Sequence, residues 1–198
     1  MSTKSERTRG MIIEQAASLF NQKGYSGTSL QDIMEATGLS KGGLYGHFRG
    51  GKEEIAKAAF DYAVRSVYAQ VGSRTRPIEN AVDKLKEVVL FYREHIFNPP
   101  VEGGCPIQNT SVEADDNLPV LRGQVVAAIR EWRARIVYTL EKGIARGEIR
   151  PDVACEEFAT YFIGCIEGGI LLARIQDERR PFDIMTRPLL AQLDQMRP

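Results

Sequence analysis

Residues 28 to 52, TSLQDIMEATGLSKGGLYGHFRGGK, read as two short helices joined by a glycine-centred turn. That arrangement is a helix-turn-helix, in which the first helix braces the second and the second is presented to the major groove of DNA. Thr28 is placed to cap the first helix through its hydroxyl, with Gln31 three residues on as the other half of a capping box. Leu30, Ile33 and Thr37 share one face, and Gly38 follows where a left-handed backbone ends the helix. Ser40 is placed to cap the second helix, in which Leu44 and Phe48, four apart, point inward. Lys41, Gly42, Tyr45 and His47 then lie toward the other sides and, with Ser40 and Gly43, form the candidate DNA-binding surface. Lys41 is the side chain suited to reading a base edge, guanine above all.

Together with the preceding helix, Thr8 to Gly24, and the helix start at Lys52, this segment resembles the DNA-binding domain of TetR-type transcriptional repressors. Its most specific stretch is GLSKGGLYGHFRGGKEE, which resembles the family pattern of Gly, an apolar residue, Ser, any residue, Gly, Thr, an apolar residue, Tyr, two residues, Phe, then Lys and an acid. The resemblance covers about the first quarter of the chain. It implies an all-α fold: a three-helix DNA-binding domain over residues 1–52, then a larger helical bundle over 53–198 that binds an effector and dimerises. It also implies that Thr28, Tyr45, His47 and Lys52 hold phosphates, a role that suits hydroxyls, an imidazole and a cation near a helix start. Gly43 stands where the family usually has Thr, Gly46 falls between Tyr45 and His47, and Met34 occupies a position beside the turn where a small residue is usual. Each interior glycine costs a helix about 1 kcal/mol relative to alanine, which predicts a recognition helix that frays when free and orders on DNA. Glycines also carry no donor or acceptor for base edges, which shifts specificity toward DNA shape.

Overall charge is balanced, 26 cations against 26 acids, but its distribution is not. Residues 1–52 hold seven Lys and Arg against four Asp and Glu, net +3, and the remainder holds 19 against 22, net −3. A basic head on an acidic body lets one end alone approach phosphate. No apolar run approaches the roughly 20 residues of a membrane span, and MSTKSERTRG lacks the apolar segment of a signal peptide, so a cytoplasmic protein with no membrane partner is expected. Three cysteines without a CxxC pair suit reduced thiols, and two histidines give no convincing zinc ligand set. No cofactor and no metal are expected.

Past Lys52 the sequence continues as amphipathic helical segments broken by Pro, Gly or polar residues. These run from Glu53 to about Val71, Ile78 to Phe97, Pro106 to Ala114, Leu118 to Arg146, Asp152 to Asp177 and Phe182 to Met196. A ligand-released repressor needs a pocket in such a bundle. Phe91, Tyr92, Phe97, Trp132, Tyr138, Tyr161 and Phe162 outline a mostly apolar envelope for a small-molecule effector, with Asn109 and Glu113 as polar anchors. Cys105 immediately precedes Pro106, a favoured first helical residue, and amide dipoles there favour a thiolate. Some repressors that this chain resembles sense electrophiles or oxidants through a cysteine in this region. Cys155 and Cys165 read as small packing residues. Glu167, inside FIGCIEGGILL, needs a partner, and Arg174 or a group across a dimer axis is available.

The resemblance implies a homodimer in which the last two long helices pair with their mates across a two-fold axis. The residues agree: Ile163, Ile166, Ile170 and Leu171 supply apolar surface, while Gly164, Gly168 and Gly169 allow close approach. Two recognition helices about one DNA turn apart would then read a near-palindromic operator in double-stranded DNA. The alternatives are a sequence-indifferent DNA-binding protein and a cysteine-dependent enzyme, with Cys105 as nucleophile and His95 or Glu113 as base. No spacing orients such a base.

Overall fold

The computed structural model describes residues 3–116 and 118–198. Among these residues the chain forms nine α-helices and no strand: α1 (Lys4–Lys23), α2 (Leu30–Thr37), α3 (Lys41–His47), α4 (Gly51–Thr75), α5 (Ala81–Glu94), α6 (Pro106–Asp116), α7 (Pro119–Ala145), α8 (Cys155–Gln176) and α9 (Arg180–Gln195). Every helix expected from the sequence is present. The largest differences at the ends are in α4, which runs on to Thr75, and in α1, which starts at Lys4 because Thr3 and Glu6 form a reciprocal capping box at its start.

The contacts divide the chain into two compact units, and not at residue 52. One unit runs to Val67 and also includes Pro100–Ala127; the other combines Tyr68–Pro99 with Ala128–Pro198. In the first, α1, α2 and α3 bury Ile12, Ala16, Ile33, Leu44 and Phe48 against Ile55 and Ala59 of α4. Ala56, also on α4, packs with Leu118 and Leu121 at the start of α7. The segment from Pro100 joins this unit because the buried Asn21 amide donates to the carbonyls of Glu102 at 2.8 Å and Gly104 at 3.1 Å. Buried amide N–H groups need such acceptors, and among the described residues this loop supplies them.

In the second unit α9 packs along α8 and against α5. Phe91, Phe162, Ile166, Phe182, Leu189 and Leu193 are essentially fully buried. Arg93 clasps Asp183 with two bonds of 2.6 and 3.0 Å, tying α5 to α9, and its guanidinium holds the Asp183 carboxyl below the usual carboxylate range. Contrary to the sequence expectation, α8 is long and apolar enough by composition to cross a bilayer, with a mean hydropathy of 1.4 over 18 residues. Phe158, Phe162, Ile166 and Ile170 turn one side of it into the core.

Candidate nucleic-acid interface and ligand cavity

Helix α2 is capped one residue later than its sequence suggests. The Ser29 hydroxyl accepts from the Asp32 amide at 3.0 Å, and the Asp32 carboxylate accepts from the Ser29 amide at 2.8 Å. Thr28 is fully buried, and its hydroxyl donates to the carbonyls of Gly24 at 2.8 Å and Leu19 at 3.3 Å. It pins the loop from beneath and is out of reach of a phosphate, which removes it from the DNA surface. Gln31, the expected capping-box partner, bonds to Glu35. Lys23 Nζ lies 2.8 Å from Asp32, and this lysine, with Ser29, holds the Asp32 carboxyl well below the usual range.

The turn and α3 follow the sequence closely. Gly38 is left-handed at φ 68°, and the Ser40 hydroxyl accepts from the Gly43 amide at 3.2 Å. Leu44 and Phe48 are buried; Lys41, Gly42, Tyr45 and Gly46 are exposed, Gly43 and His47 half-buried. The helix is formed despite its three glycines, because a cap at one end and two core anchors outweigh weak propensity. A Cβ added at Gly42 or Gly46 would meet nothing within 4 Å, so packing within the chain requires neither glycine. Met34 fits half-buried beside the same core. Lys52, at the start of α4, sets its ammonium 4.1 Å from the Tyr25 ring centroid, and burial lowers its pKa against the opposing pull of Glu113 and Asp32. Arg49, exposed two residues past His47, is a further cation on this stretch whose only sequence signal is its position.

Asn109 and Glu113 do not anchor a ligand pocket. The Asn109 amide donates to Asn21 Oδ1 at 2.9 Å and to the Gly103 carbonyl at 3.0 Å. The Glu113 carboxylate accepts from the amides of Tyr25 at 2.6 Å and Ser26 at 3.2 Å, at the loop after α1. The fit leaves no slack: a Cβ on Gly24, which has φ 74°, would lie 2.6 Å from Glu113 Oε1. The void beside these groups measures about 20 Å³, room for about one water. Cys105 directly precedes α6, and it is buried. Of the two groups considered as a base, Glu113 is held by the amides, and the His95 ring stacks on Phe91 with centroids 4.3 Å apart.

A cavity of about 230 Å³ lies in the second unit between α4, α5 and α7, and a larger, more polar hollow of about 490 Å³ lies in the same unit beside Phe158 and Met196. Of the expected aromatics the smaller cavity takes Tyr92, Trp132 and Tyr138; the first two rings lie 5.6 Å apart. Its other walls come from Tyr68, Val71, Gly72 and Thr75 on α4, Lys84, Leu85 and Val88 on α5, and Arg135, Ile136 and Thr139 on α7. The α4 and α7 sets recur at i, i+3, i+4 and i+7, a helical stripe visible in the sequence once the cavity is known. Phe91 and Phe162 are core residues, 1% and 0% exposed. Phe97 is exposed, and Tyr161 borders the larger hollow with Phe158, Gln192 and Met196. Burial pushes the Cys155 thiol up, helped by Glu141, and Cys165 is buried.

The expected dimer face of α8 separates into two sides. Ile166, Gly169 and Ile170 face inward: a Cβ on Gly169 would lie 2.8 Å from Phe182 Cδ2, so that glycine admits α9 of the same chain, not a partner helix. Gly164 and Leu171 are exposed, Ile163 and Gly168 half-buried, and Leu172 and Ile175 extend this outer side, with Ile175 79% exposed. Arg174 donates to the Ile96 carbonyl at 2.8 Å.

Sequence and structure comparisons agree with this geometry. A family model described as bacterial regulatory proteins, tetR family, matches residues 12–59, and one described as tetracyclin repressor-like, C-terminal domain, matches residues 81–189. A TetR transcriptional regulator from Chloroflexus aurantiacus is 42% identical, with a TM-score of 0.93 and 98% of each chain covered. A TetR-family regulator from Cytophaga hutchinsonii is 37% identical with a TM-score of 0.89, covering 100% of this chain and 98% of that one. An HTH-type transcriptional regulator of Mycobacterium tuberculosis is 32% identical over 187 residues, 91% of each chain. The HTH-type transcriptional repressor DhaR of Mycobacterium sp. strain GP1 is 28% identical over 179 residues, 88% of this chain and 86% of its own. The chain belongs to the TetR family of bacterial regulatory proteins. It is a DNA-binding transcriptional regulator and not an enzyme.

Proposed function

We propose that the protein is a homodimeric repressor that acts in the cytoplasm on a near-palindromic operator and is released by a small-molecule or thiol-reactive effector. The observation that carries this reading is α3, whose exposed Lys41, Gly42, Tyr45 and Gly46 stand over the buried anchors Leu44 and Phe48. Lys41 reads base edges, Ser40, Gly42 and Gly43 let the backbone approach closely, and Tyr45, His47 and Lys52 hold phosphates. Dimerisation uses the outer side of α8, Gly164, Gly168, Leu171, Leu172 and Ile175, with exposed Ile184 on α9. The effector occupies the cavity walled by Tyr92 and Trp132. Cys105, at the start of α6, is the thiol through which an electrophile would act.

Selection of bound fragments from random duplex DNA tests the operator reading, with two matching half-sites as the expected product. Lys41→Ala should change the preferred bases, whereas Lys52→Ala should weaken every sequence alike and reduce the salt slope by about 1. Equal, sequence-independent losses from both substitutions would contradict the assigned roles, and absence of any preferred sequence would favour an indifferent DNA-binding protein. For the thiol route, Cys105→Ser should abolish release by electrophiles while DNA affinity stays intact; an unchanged response removes it.

A further inference from the structure

Resting on the effector-responsive reading, we propose that the cavity between α4, α5 and α7 takes a small aromatic carboxylate, a body of one or two rings carrying one acid group. The walls hold two cations, Lys84 and Arg135, and no aspartate or glutamate. Arg135 spreads its guanidinium 4.6 Å from the Tyr68 ring centroid and bonds to Glu131, itself about half exposed, so its charge is partly answered. Lys84 is half-buried and forms no ion pair among the described residues. Three of the hydroxyls in the wall donate to backbone carbonyls: Thr75 to Val71 at 2.9 Å, Thr139 to Arg135 at 2.9 Å, and Tyr68 to Ala128 at 3.0 Å. The charged donors offered to a ligand are an ammonium and a guanidinium.

An apolar hollow with a half-buried cation and no acid of its own is electrostatically incomplete, and a ligand carboxylate completes it with a charge-assisted hydrogen bond. A cationic ligand would meet two like charges, and a neutral one would leave Lys84 desolvated without compensation. The rest of the wall selects the body. Tyr92 and Trp132, inclined 32° to each other, with Val88 and Ile136, offer flat apolar surface suited to an aromatic ring. At about 230 Å³ the space falls below the roughly 300–1,000 Å³ of pockets that hold drug-sized molecules, which limits the ring count.

Trp132 is the sole tryptophan of the chain and lies in this wall, so intrinsic fluorescence reports occupancy directly. The full-length protein without DNA is titrated, at constant ionic strength, with benzoate, 1-naphthoate, their neutral amides and the matching arylmethylamines. At least one carboxylate should give a saturable change with a Kd about tenfold or more below that of its amide, and the amines should bind least. Lys84→Gln should erase the preference for the acid and Arg135→Gln should reduce it, with helical circular dichroism unchanged. Lys86→Gln, whose lysine pairs with Asp194, should retain the preference. Equal binding of acid and amide, no binding by either acid, or an acid preference that survives Lys84→Gln overturns the proposal. Lys84-dependent acid binding that leaves the DNA complex intact upholds the cavity's specificity and refutes the effector reading. Release of DNA by other compounds, with no acid bound, does the reverse.

Discussion

Thr28 and Ser29 show how much one residue step decides. Both can cap a helix, and each has a polar partner three residues on, Gln31 for one and Asp32 for the other. The acid at the helix start is the better partner for the N-terminal dipole, which favours Ser29, while burial of Thr28 depends on carbonyls of Leu19 and Gly24 that no local pattern identifies. Thr28→Val should therefore lower stability by about 1 kcal/mol, because two part-buried carbonyls lose their shared donor, and leave the operator affinity of the folded protein unchanged. Denaturant titration beside a DNA-binding isotherm separates this from a phosphate contact, whose loss would do the opposite. Lys41 and Tyr45 were legible because helical spacing from Leu44 and Phe48 dictates which side chains face out. Asn109 and Glu113 were not, since a polar residue on a helix looks the same whether it meets a ligand or a backbone amide of the loop after α1.

At the scale of the helix, the glycines of α3 and α8 have opposite meanings. Gly46 faces open space, so Gly46→Ala should raise stability by up to about 1 kcal/mol in thermal unfolding. Gly169 is pressed against the Phe182 ring, and Gly169→Ala should cost about 1–3 kcal/mol through forced displacement of a buried side chain. The sequence shows that a glycine-bearing helix can be approached closely but not which helix does so; here α9 of the same chain takes one side. The ties between helices also set the acid response. Asp183 is held below its ordinary value first by its bonds to Arg93, so its stabilisation is present above the unfolded aspartate value of about 3.9 and is lost as pH falls through the depressed folded value. Asp183→Asn should lower Tm near neutral pH by a modest amount, as befits a partly exposed pair, and flatten the fall of Tm in acid. A Tm series across pH reads both effects.

For the whole molecule, helix content and order were legible because each segment carries its own period and its own stops. The grouping of helices was not, because it depends on contacts between distant stretches such as Asn21 with Glu102 and Ala56 with Leu121. The outer side of α8 leaves Leu171, Leu172 and Ile175 exposed at 52%, 40% and 79%. On the proposal that this side is the dimer face, Leu171→Glu with Ile175→Glu should convert a dimer to a folded monomer in sedimentation velocity and lower operator affinity by more than tenfold, about 1.4 kcal/mol or more. The discontinuous first unit also bears on protein engineering. A chimera that swaps recognition modules with a junction at residue 52 would strand the Asn21 amide and part Ile12, Ile33 and Phe48 from Ile55 and Ala59, whereas one that transplants the stretches ending at Val67 and running from Pro100 to Ala127 together would carry its own foundation.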